Sequence, residues 1–197
     1  QIHVSRIIMN TCKMNGNQKS SCGDMLIDGG CDTSLVGNGF IIESTTNRTV
    51  TVQGFQDQMK IEELPIVTAI TAIDLDEETY ILEVNEAIYV KYNGTSLLST
   101  YQARDHGVVV NDISLKHGGT QNIIIDDVSI GLAVKGGLLS FPIREPTKDE
   151  ITGCTRLVMT SDYQWNAPEI NASMPSSNNM HTTETFIFDP KDLQGSF

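Results

Sequence analysis

The sequence predicts an all-β domain, and three observations carry that expectation. Val, Ile and Thr crowd into short runs separated by turn residues, the spacing of compact β structure. The stretches that read as helix are short. One apolar run, Met25-Leu26-Ile27, delivers Asp28 into a glycine turn, Gly29-Gly30, and a second short apolar run, Leu35-Val36, leads away.

Residues 1–9 alternate and read as a strand, followed by a polar loop, so 1–23 form an N-terminal strand and loop. Strands are expected at 24–28, 33–36, 49–54, 59–73, 78–90, 107–113, 122–125, 127–134 and 137–142. Residues 97–106 are expected to form a short helix. Thr147-Lys148-Asp149-Glu150 opens a second one, with Thr147 as cap and Glu150 in the capping-box position. These elements place the β domain at 24–150, and 151–197 reads as a C-terminal linker and tail. Within it, 166–183 is rich in Asn, Ser, Pro and Thr, and 185–189 is a strand candidate. Trp165 reads as a packing anchor for that tail.

The chain has 197 residues, enough for one domain with a core and a tail, or for two very small domains. Its formal net charge of -12 argues against nucleic-acid binding, which needs clustered Lys and Arg. No apolar run approaches the roughly 20 residues of a membrane span. The chain starts at Gln1 with no signal-peptide pattern, which reads as a processed product or an excised fragment, with room for a removed leader. Cys12, Cys22, Cys31 and Cys154 fit no zinc spacing, and no metal or cofactor is expected. A Cys12–Cys22 disulfide and four reduced thiols both remain open. Sequons at Asn47, Asn93 and Asn171 carry little weight in a chain so rich in Asn, Ser and Thr.

Asp28 carries the chemistry. A tight turn projects its carboxylate from a strand end, and glycine lets the backbone come close enough to hold it. Two such carboxylates in contact share one proton, because both cannot ionise there. One then acts as base towards water and the other as acid towards a peptide carbonyl. Asp32, four residues on, is placed to bind a substrate backbone or brace a dimer. Cys31 reads as a small buried thiol, with no paired histidine to make it a nucleophile. The acidic stretch 74–78 reads as a solvated turn; the sharper reading, a calcium site, lacks the full EF-hand pattern. His117-Gly118-Gly119 reads as a structural hairpin.

Asp28-Gly29-Gly30-Cys31-Asp32-Thr33 resembles the Asp-Ser/Thr-Gly-Ala signature of retropepsin-like aspartic proteases. Val84-Asn85-Glu86-Ala87-Ile88-Tyr89, followed by Ser96-Leu97-Leu98-Ser99-Thr100-Tyr101-Gln102, resembles the second half of the protease of copia-type retrotransposon polyproteins. The segment 117–121, with 138–146, is similar to copia-like elements of algae, diatoms and related protists. The resemblance spans about residues 20–150. It implies a retropepsin-like half-lobe, a small closed β-barrel-like domain, that supplies Asp28 as catalytic residue and forms its active-site turn from Gly29, Gly30, Asp32 and Thr33. One motif cannot make a dyad within a monomer, so a homodimer or larger homo-oligomer is implied, acting on a peptide or polyprotein substrate inside the cell. A hairpin must close over that substrate; 68–82, with 74–78 at its tip, is the expected one.

Two features depart from the family. Gly29 stands where a Ser or Thr hydroxyl usually ties the two active-site turns together, and the expected flap tip is acidic rather than glycine-rich. They motivate an alternative: a catalytically inactive protease-fold protein, extracellular, assembling into filaments as 185–189 adds to a neighbour's sheet edge. A third reading is an extracellular ligand- or calcium-binding β domain.

Overall fold

The computed structural model describes residues 2–3, 23–53, 60–91 and 95–167. In chain order the elements begin with β1 (Ile2–His3), β2 (Gly23–Asp28), β3 (Leu35–Val36), β4 (Ile41–Gln53), β5 (Lys60–Leu75), β6 (Glu78–Tyr89) and β7 (Thr95–Ser99). There follow α1 (Thr100–Asp105), β8 (Val109–Asn111), a 3-10 turn at Leu115–His117, β9 (Asn122–Ile125), β10 (Val128–Gly131), β11 (Ala133–Lys135), β12 (Leu138–Ile143), α2 (Lys148–Gly153) and β13 (Thr155–Val158). The expected all-β class is what the described residues form. The Cys12–Cys22 question, the sequons at Asn93 and Asn171 and the strand candidate 185–189 lie outside them.

The main sheet has ten strands in the order β1-β4-β5-β6-β3-β7-β2-β12-β11, with β13 added beside β6. The expected closed barrel is not found: β1 and β11 end the sheet, and no pairing among the described residues joins them. At the β11 edge all three residues are exposed, and Lys135 Nζ pairs with Asp24 Oδ1 at 2.6 Å. A charged lysine on a three-residue strand is a usual way to blunt an open edge. A second sheet of three strands, β10-β9-β8, packs its buried residues Val110, Ile123, Ile125 and Ile130 into the main core. The strand expected at 127–134 is split, because β10 pairs with β9 whereas β11 pairs with β12.

The centre of the main sheet explains why its strands read as continuous apolar runs: both faces are covered. Met25 and Ile27 of β2 enter the large core, while Leu26 between them joins Cys31, Leu35, Ile88 and Leu97 on the other face. β7 repeats the pattern, with Leu98 in the large core and Leu97 opposite. This double burial corrects the helix expected at 97–106. Leu97 and Leu98 are strand residues, and the helix begins only at Thr100, after Ser99. Ser99 is the N-cap, and its hydroxyl accepts the Gln102 N–H.

The hairpin expected to close over a substrate is pinned instead. Ile73 and Leu82 lie in the core, and the Ala72 and Arg144 backbones exchange hydrogen bonds of 2.8 and 3.0 Å. Arg144, 8% exposed, donates to Asp74 Oδ2 at 2.8 Å and Oδ1 at 2.7 Å. It also reaches both carboxylate oxygens of Glu150 at 2.8 Å. The expected capping box at Thr147 and Glu150 is present; Glu150 thus caps α2 and neutralises Arg144 at once. Residues 76–78 at the tip are exposed, as expected of a solvated turn, while the Asp74 carboxylate at its start is engaged by Arg144.

Arg144, with help from the Thr147 N–H, holds the Glu150 carboxyl well below its ordinary value of 4.5. A depressed carboxylate stabilises the fold above its unfolded-state value and loses that contribution as pH falls towards the folded one. Thermal melts from neutral pH down through 4.5 are expected to show stability falling below about 4.5. Glu150→Gln should be less stable at neutral pH and flatter across that window; equal slopes would contradict the assignment.

Candidate functional site

β2 ends at Asp28 and β3 begins at Leu35, and the six residues between them make the turn. β3 is threaded between two strands that come much later in the chain. Leu35 pairs with Ile88 of β6 in parallel and with Leu97 of β7 in antiparallel fashion. β7 also runs parallel to β2, with Asp28 opposite Ser99. The Asp28 turn and the start of α1 therefore emerge side by side at one end of the sheet. The Leu97-Leu98-Ser99 segment and the glycine turn are thus neighbours in space.

Within the turn, Asp28 Oδ1 accepts the Gly30 N–H at 2.8 Å, and the Cys31 N–H points back to the Asp28 carbonyl at 3.4 Å. Asp28 is partly exposed, Gly29 and Gly30 are exposed, Asp32 is partly buried and Thr33 is buried. The five predicted site residues are thus brought together on one turn. A side chain at position 29 would meet only the Thr100 hydroxyl, 3.8 Å from an added Cβ. Position 29 therefore has room for a serine side chain.

Serines and an amide to which the sequence reading gave no role hold the turn. Ser99 Oγ donates to the Cys31 carbonyl at 2.7 Å, and Ser34 Oγ accepts the Ser99 N–H at 3.0 Å. Gln102 Oε1 accepts the Ser34 N–H at 2.6 Å, and Gln102 Nε2 donates to the Glu86 carbonyl at 3.1 Å. All three of these side chains are buried. The one signal available in sequence was the Ser99–Gln102 spacing at a helix start, which marks a cap but not the second task of each residue.

Glu86 sits in a bulge of β6, where Asn85 and Glu86 together oppose Thr68 between the pairs Val67↔Ala87 and Ala69↔Val84. Its φ is 53°, uncommon for a residue with a side chain. Its carboxylate, buried, accepts from Arg48 of β4 at 2.6 Å and from the Trp165 N–H at 3.0 Å. Cys31 is wholly buried, and burial pushes its thiol up to about 12. It is the small buried thiol expected, its Sγ hydrogen-bonded to the Thr33 carbonyl at 2.7 Å. Thiolate chemistry is closed to it.

Scans against protein-family models, curated proteins and solved structures find no match to this chain. Among the described residues no three His, Cys, Asp or Glu side chains converge to hold a metal ion, and no helix is long and apolar enough to cross a membrane. His117 ends the 3-10 turn, followed by Gly118 at φ 81°. At Gly119 a Cβ would lie 1.8 Å from the Ile113 carbonyl oxygen, so that residue serves the backbone path.

Proposed function

We propose that this chain is one half of an aspartic endopeptidase of the retroelement-polyprotein type, completed by a second copy of itself. The observation that carries the reading is the Asp28 turn: a carboxylate at a strand end, oriented by the Gly30 N–H, beside two exposed glycines and backed by a threaded strand. A two-fold axis at this turn sets Asp28 beside its copy. The pair shares a proton, one carboxylate draws a proton from water, and the other protonates the peptide carbonyl. The chemistry asks of this chain only that it hold Asp28 rigidly and leave its outer face open.

Gly29 is the weak point of the dimer, and it makes the reading testable. Activity per chain should fall on dilution as dimers separate. Gly29→Ser, which meets no close contact at that position, should retain the wild-type melting temperature and shift the dilution curve to lower concentration by ~5-fold or more, the worth of one or two interface hydrogen bonds. Activity independent of concentration in both proteins would contradict a shared site. The rival reading, an inactive assembly protein, is favoured by that same missing hydroxyl, and it predicts no cleavage by either protein at any concentration.

A further inference from the structure

Trp165 is the single tryptophan of the chain, and both of its N–H groups are committed to the neighbourhood of one turn. Its indole Nε1 donates to the carbonyl of Asp32 at 2.9 Å. Its backbone N–H donates to Glu86 Oε2 at 3.0 Å. Asp32 is thereby tied to residue 165 across 133 positions of sequence. The chain reaches it in a fixed way. β13 runs parallel to β6, the Met159 N–H donates to the Glu83 carbonyl at 2.8 Å, and the Thr160 hydroxyl bridges the N–H and carbonyl of Asn85 at 2.8 Å each.

Gln102 holds the same turn at a second point. It joins the Ser34 N–H to the Glu86 carbonyl, so residues 32 and 34 are both referenced to Glu86. That residue combines a buried carboxylate with a left-handed backbone, two costly features that persist only where the surroundings over-determine them. Between the two grips lies Thr33, 2% exposed, whose hydroxyl has no hydrogen-bond partner among the described residues. A buried, unmatched hydroxyl costs free energy, which the bonds on either side of it offset.

We propose that Trp165 is a positioning residue: its indole N–H fixes the Asp32 peptide, and with it the path of the turn along which an extended peptide lies beside Asp28. This rests on the aspartic-protease reading. It adds that the segment after β13 belongs to the substrate-binding apparatus rather than to a tail.

The test compares the full-length wild type with Trp165→Phe, which keeps a ring and removes the indole N–H. Amide exchange over 29–36 is expected to quicken by ~5-fold, the worth of one hydrogen bond, with exchange in the β9–β10 hairpin unchanged and the melting temperature lowered by no more than about 2–4 °C. For a cleavable peptide, KM should rise severalfold with kcat within about twofold, since the catalytic carboxylate is not what Trp165 touches. Unchanged exchange at the turn, faster exchange everywhere with a lower melting temperature, or a loss of kcat at constant KM would each overturn the assignment. Exchange needs no activity, so it decides the clamp even if the wild type cleaves nothing. Cleavage that survives Asp28→Asn sinks the protease reading separately.

Discussion

Asp28→Asn is expected to lower peptide cleavage by at least about 10²–10⁴-fold while leaving the melting temperature within a degree or two. The amide keeps one oxygen that can still accept the Gly30 N–H, which reaches Asp28 Oδ1 at 2.8 Å. The turn should therefore survive. What is lost is the shared proton: an amide neither takes a proton from water nor passes one on. The comparison to make is with Asp32→Asn on the same turn, where the principal expected change is in KM. Equal losses of kcat in the two variants would mean that the turn as a whole was disturbed and that Asp28 has no special role.

Arg144→Met should have the largest effect on stability. Arg144 is 8% exposed and joins Asp74 to Glu150. The Asp74 and Glu150 side chains are 40% and 14% exposed, so solvent screens part of the charge left behind, and losing the charged hydrogen bonds is expected to cost ~1.5–3 kcal/mol. For a chain of this size that corresponds to a fall of roughly 5 °C in Tm. Removing all the charges together, as Arg144→Met with Asp74→Asn and Glu150→Gln, should recover part of the loss, because Glu150, the less exposed carboxylate, is then no longer left charged without its partner. A triple variant as unstable as the single one would contradict that account. The same experiment bears on function. If the network is what pins the β5–β6 hairpin, exchange at residues 74–79 should rise in the single variant and spread no further than the hairpin end.

How much was legible in the sequence follows from how local each signal is. The glycine turn at Asp28, the strand leading into it and the Thr147–Glu150 capping box depend on neighbours a few residues apart, and each lies where it was expected. Leu97-Leu98 misled because two successive leucines suit a helix face as well as a strand buried on both sides. Only the threading of β3 beside β7 decides between them. The acidic stretch 74–78 is the solvated turn its composition suggests, but the ion pair of Asp74 was hidden because its cation, Arg144, lies 70 residues away. Trp165 read as an anchor for a tail because nothing near it in sequence points to the Asp32 carbonyl, 133 residues earlier. The open sheet was hidden for the same reason. Closure depends on whether the end strands find each other, and β11 is a three-residue strand exposed throughout.

The most direct test of the central claim is the stoichiometry with which a statine-containing peptide, a mimic of the tetrahedral intermediate, titrates the protein in a calorimeter at mildly acidic pH. A site made from two Asp28 turns on a two-fold axis predicts one inhibitor bound per two chains, and no binding to Asp28→Asn. One inhibitor bound per chain, or equal binding by the Asp28→Asn variant, would contradict it.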